Sequence, residues 1–152
     1  MTVLLLALVL GAPVGAEADR GRSAVDAVCS VSVLAVDPEG RPQSTRTVSA
    51  SRTPAVVFRG RSAPLSREGP PLLFDVFNPR GQRYQVLFGA TPGRGSLLHG
   101  SSRAPFRPVE ARLAVAGSSI AWTSMYGRWR VEPRLEGQDR PCGVARSFTI
   151  LP

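Results

Sequence analysis

Pro71 to Gly89 reads PLLFDVFNPRGQRYQVLFG, two strand-like runs on either side of Asn78-Pro79-Arg80-Gly81. That tetrad suits a type I turn: Asn bonds its own backbone, Pro presets φ at the second position, and Gly closes in the left-handed region. A three-residue loop with Gly as the bulge residue pairs Asn78 with Gln82. Uninterrupted alternation from there sets Val76 opposite Tyr84, Phe74 opposite Val86 and Leu72 opposite Phe88, so these six share a buried face. The other face pairs Phe77 with Arg83, Asp75 with Gln85 and Leu73 with Leu87, a mixed surface that water wets over part of its length. A slip of one residue would set Arg83 or Gln85 in the core, and burial of one face selects against it.

The rest of the chain supplies more short strands. Val28–Val36 places Cys29, Val31, Val33 and Ala35 on one face. Asp37-Pro38-Glu39-Gly40 ends it as a turn, with too few further oxygens for a calcium loop. Residues 46–49 and 55–58 are short strand candidates. Arg59 to Pro70, rich in Gly, Pro and charge, reads as a loop, and so does Ala90 to Pro108. Val109 to Val115 alternates and turns at Ala116-Gly117, and Ser118 to Thr123 reads as its strand-like continuation with Ile120 and Trp122 on one side. Tyr126 to Leu135 is the cleanest amphipathic strand: Trp129, Val131, Pro133 and Leu135 face inward, opposite Arg128, Arg130, Glu132 and Arg134. Pro133 lacks an N–H and belongs at a sheet edge or a bulge. Glu136 to Asp139 turns, and Val144 to Leu151 closes the chain with Phe148 and Ile150 inward.

With Gly 15 and Pro 14 among 152 residues and no sustained helical period, the expected fold is an all-β antiparallel sandwich of about seven to nine strands. Met1 to Ala18 has an apolar run, Val3 to Leu10, followed by Ala16-Glu17-Ala18, the pattern of a cleaved secretory signal. The run is too short to span a bilayer. A mobile segment 19–27 and a single domain over 28–152 follow, and the protein is expected to be secreted or periplasmic and not held in a membrane. Cys29 and Cys142 are the only cysteines. In an oxidising compartment they pair, whereas two Cys with one distant His make a poor zinc set. No cofactor or metal is expected.

Strand, hairpin and strand, then Gly127, Trp129 and Val131, the Glu136-Gly137 turn and the strand Ser147 to Ile150, resemble the immunoglobulin-like and fibronectin-III-like sandwiches of bacterial secreted proteins. The resemblance covers about residues 70–152. An immunoglobulin domain proper would have its cysteines on strands B and F with Trp on C, whereas here they flank the fold. In such sandwiches the first strand runs beside the last, which fits the Cys29–Cys142 pair. No catalytic residue comes with the resemblance.

Function is bounded more than named. All 19 basic side chains are arginine, and the net charge is +8, enough to hold an anionic partner. His99, the only histidine, stands in a Gly/Ser loop with no nucleophile elbow around it. A small hydrolase therefore ranks below the other readings, and no catalytic residue is assigned. The leading expectation is a non-catalytic binding or structural module for an unknown protein or an anionic envelope component. The alternative is a polyanion or envelope-surface binder using an arginine face of Arg83, Arg112, Arg128, Arg130 and Arg134. Nucleic acid is not expected as a partner. Trp129 is assigned to the core, and Trp122 is left open as a side chain that could stack on a sugar if exposed.

Overall fold

The computed structural model describes residues 29–62, 70–91 and 107–152. The leader, the segment 19–27, His99 and most of the loop after Gly89 lie outside them. Nine strands and one helical turn follow in chain order among the described residues: β1 (Cys29–Val36), β2 (Pro42–Ser44), β3 (Thr47–Ser49), β4 (Ala55–Ser62), β5 (Leu72–Phe77), β6 (Arg83–Phe88), β7 (Arg107–Ala114), α1 (Ser119–Trp122), β8 (Gly127–Leu135) and β9 (Arg146–Leu151). They form two sheets, β2-β1-β4-β7 and β3-β9-β8-β5-β6. Neighbours are antiparallel except β3 beside β9. The inner faces meet in one core, with Val31, Val56, Phe58 and Leu113 on one side and Phe74, Val76, Trp129 and Phe148 among those on the other. The fold is an all-β sandwich.

The hairpin turn closes as its residues dictate. Asn78 Oδ1 accepts from the Arg80 and Gln82 N–H groups at 3.0 Å, Gly81 takes φ +77°, and the Asn78 N–H donates to the Gln82 carbonyl. Beyond Phe77 and Arg83 the expected register fails. A bulge leaves Tyr84 without an opposite number, so Val76 faces Gln85, Phe74 faces Leu87, Asp75 faces Val86 and Leu73 faces Phe88. One inserted residue reverses the facing of the rest of the strand. Leu87 thus packs on the core, Val86 turns outward and Phe88 is 64% exposed. Tyr84 still faces inward: its ring meets Trp129 edge-on at 5.2 Å, and its hydroxyl lies 2.6 Å from Ser119 Oγ. These two contacts hold the bulge. The outward face of β5 is also drier than expected, with Leu73 and Asp75 both buried.

Two further expectations need correction, and one short strand stands outside them. Arg59 to Ser62 continue β4 where the sequence reads as loop. Gly60 is required there because a Cβ would stand 2.6 Å from Leu72 and 2.7 Å from Phe74, and Arg59 bonds Glu110 across the sheet. Pro42–Ser44 forms a short edge strand that carries little apolar pattern. Ser118 to Thr123 does not continue as a strand: Ser118 Oγ accepts from the Ile120 N–H and caps a single helical turn. A strand would aim Ile120 and Trp122 the same way. The turn instead buries Ile120 fully and leaves Trp122 81% exposed.

Pro133 sits inside the five-stranded sheet, but β9 pairs with β8 only as far as Val131. The Pro133 carbonyl accepts from the Cys142 N–H at 2.9 Å. In an antiparallel strand a residue's N and C=O point the same way, so the missing donor falls where the neighbouring strand has ended. Cys142 is disulfide-bonded to Cys29 across 113 residues of sequence, with Cα atoms 5.3 Å apart. The bond joins β1 of one sheet to the β8–β9 connection of the other. Such a bridge persists in oxidising compartments. Among the described residues no helix is long and apolar enough to cross a membrane.

Candidate binding face

The outward residues of β8, β5 and β6 form three rows across the five-stranded sheet: Arg130-Phe77-Arg83, Glu132-Asp75-Val86 and Arg134-Leu73-Phe88. Neighbouring strands lie about 4.8 Å apart, so Arg130 and Arg83 stem from backbones roughly 10 Å apart.

The arginines of this face are not equivalent. Arg134 donates from Nε to Asp75 Oδ2 at 2.6 Å and from Nη2 to Oδ1 at 3.2 Å, while its Nη1 bonds the Gln138 carbonyl. Its hydrogen bonds to Asp75 raise the guanidinium pKa above its ordinary value. Arg134 is thereby neutralised and structural, and it satisfies Asp75, the one buried carboxylate among the described residues. Arg130 lies 4.5 Å from the Phe77 ring centroid and 3.3 Å from Glu132 Oε1, with half its side chain exposed. Arg83 is 60% exposed and only reaches Asp75 at 4.0 Å. Arg128 has no carboxylate within ion-pair distance among the described residues. Arg112 does not join them. It projects from β7 opposite Val57, on the outer face of the other sheet, where Arg59 and Glu110 pair at 2.8 Å. Alternation along one strand assigns a face but not a sheet, which is why the expected five-arginine surface divides.

One signal in the sequence marks the charged end. Residues 76–90 and 115–131 hold Arg80, Arg83, Arg128 and Arg130 and not a single Asp or Glu. The fold brings these stretches together: Gly127, at φ +126°, stands against Pro79, and Tyr84 reaches Ser119. Between the hairpin turn and the α1–β8 connection lies an open cleft of about 460 Å³, lined by Pro79, Arg80, Gln82, Ser124, Met125 and Tyr126 among others. Ser124 holds the left-handed φ of +53° that non-glycine residues rarely take. No protein-family model matches the chain, and no curated protein or solved structure matches it significantly.

Asp37, Glu39 and Glu110 are committed away from this face. Asp37 accepts the Arg41 backbone N–H at 2.7 Å, Arg41 Nε at 3.0 Å and Gln43 Nε2 at 3.2 Å. Its carboxylate closes the turn after β1, as the sequence suggests. Among the described residues no three His, Cys, Asp or Glu side chains gather as a metal site would require.

Proposed function

We propose that the chain is a non-catalytic binding module, exported and closed by its disulfide, which holds an envelope component against the outer face of its five-stranded sheet. The observation that carries this reading is the set Arg83, Arg128 and Arg130, exposed on one face beside Phe77, Val86 and Phe88 while Arg134 holds buried Asp75 at 2.6 Å and Arg83 reaches it only at 4.0 Å. Arginine interleaved with aromatic side chains is the composition of recognition surfaces.

An immunoglobulin-like topology is part of the proposal. The orders β1-β4-β7 and β9-β8-β5-β6 correspond to strands A, B, E and G, F, C, C′ of that architecture. In it, the G-F-C-C′ face is the outer face carrying the arginines. Export is supported by the leader-like Met1 to Ala18 and by the disulfide.

The test is retention on the envelope fraction of the exporting cell. Wild type is expected to bind and the triple variant Arg83→Ser, Arg128→Ser, Arg130→Ser to be washed off, with identical circular dichroism. Equal retention of the two proteins, or no retention of wild type, removes the proposal.

A further inference from the structure

We infer that the hairpin end of the sandwich, which carries Arg80, Arg83, Arg128 and Arg130 and has Trp122 beside its cleft-lining Thr123, is a binding site for an acidic polysaccharide. The inference rests on the sheet-face reading above and adds the chemical class of the ligand.

Charge comes first. The two acid-free stretches bring four arginines to one end, and two carboxylates stand near them: Glu132 pairs with Arg130, while Asp75 is held by Arg134 and reaches Arg83 only at 4.0 Å. Arg80 and Arg128 have no carboxylate within ion-pair distance among the described residues, and a surface with this excess of positive charge favours a ligand that carries several anionic groups along its length. Guanidinium forks suit sulfate and carboxylate because both accept two parallel hydrogen bonds.

The second observation is Trp122. It is the more exposed of the chain's two tryptophans at 81%, whereas Trp129 is fully buried. An indole turned to solvent next to the cleft-lining Thr123 offers a flat apolar face, the shape on which the C–H face of a pyranose ring packs. The cleft supplies the third element. Gln82 Oε1 accepts from Asn78, which leaves the Gln82 amide N–H groups uncommitted among the described residues, and the Ser124 hydroxyl is in the same position. Amide and hydroxyl groups match sugar hydroxyls. A bilayer surface would use the charge and ignore the cleft, and nucleic acid is scarce in the compartments where disulfides persist.

The experiment uses the full disulfide-bonded protein with heparin and with polygalacturonate oligomers. Dextran, single-stranded DNA and phosphatidylglycerol vesicles serve as comparison ligands. Both acidic glycans are expected to bind and shift the tryptophan emission, weakening as salt screens the arginines, while dextran does not bind. Trp122→Ala should weaken glycan binding about tenfold, the loss of one stacked aromatic contact. The Arg83→Ser, Arg128→Ser, Arg130→Ser variant should weaken it more than about a hundredfold, and Arg112→Ser should leave it unchanged. All these side chains are exposed, so the variants should keep the wild-type circular dichroism. The inference is overturned if neither glycan binds. It is equally overturned if DNA or vesicles bind as tightly as the glycans and Trp122→Ala makes no difference. Retention on envelopes without glycan binding would sink this inference while the sheet-face reading stands.

Discussion

Arg134 of β8 holds Asp75 of β5 with two hydrogen bonds, at 2.6 and 3.2 Å, on a sheet face where the Asp75 side chain is 8% exposed and that of Arg134 17%. The pair joins adjacent strands, and neither partner can be removed quietly. Breaking a buried pair by deleting one member leaves the other desolvated, at a cost of about 3 kcal/mol. Asp75→Ala should therefore lower the urea midpoint markedly, while Asp75→Leu with Arg134→Met should recover most of the loss.

Gly60 tests the reading of β4. A Cβ there meets Leu72 and Phe74, so Gly60→Ala should destabilise by about 1–3 kcal/mol through overpacking. A surface-loop glycine would tolerate the change. Urea denaturation distinguishes the two outcomes.

The Cys29–Cys142 bond closes a loop of 113 residues. In the chain-entropy model a loop near this length stabilises by up to about 4.7 kcal/mol. Cys29→Ser with Cys142→Ser should melt well below wild type. Comparison of thermal midpoints with and without reductant on wild type checks the same quantity independently.

The turn after β1 sets a pH dependence. The backbone N–H of Arg41, with help from its side chain, holds the Asp37 carboxyl below the usual range. The folded-state pKa thus lies under the unfolded value near 3.9. The associated stability is complete above about pH 4 and fades as the pH falls through the folded-state pKa. Asp37→Asn should therefore lose stability less steeply than wild type between roughly pH 4 and pH 2, measured as denaturation midpoint against pH.

Much of this architecture is legible locally. The Asn78-Pro79-Arg80-Gly81 turn and the alternation from Trp129 to Leu135 depend on neighbours in the chain, and both appear where their residues place them. The bulge at Tyr84 is not local. It depends on Trp129 and Ser119, more than thirty residues away, and it carries Val86 and Phe88 from the expected core to the outside. Arg59 and Gly60 read as loop because the Glu110, Leu72 and Phe74 that explain them lie on other strands. On the face itself, the stripe Arg128, Arg130 and Arg134 is visible in the alternation. The neutralisation of Arg134 and the separation of Arg112 follow from strand pairing that no single segment displays.

The central claim is that one face of the sandwich makes the contact, and amide hydrogen exchange on the full protein bound to its host envelope tests it most directly. The account predicts added protection within Arg83–Phe88 of β6 and Gly127–Glu132 of β8, with β1, β4 and β7 unchanged. Protection centred on Arg59 and Arg112 of the other sheet, or none anywhere, would contradict it.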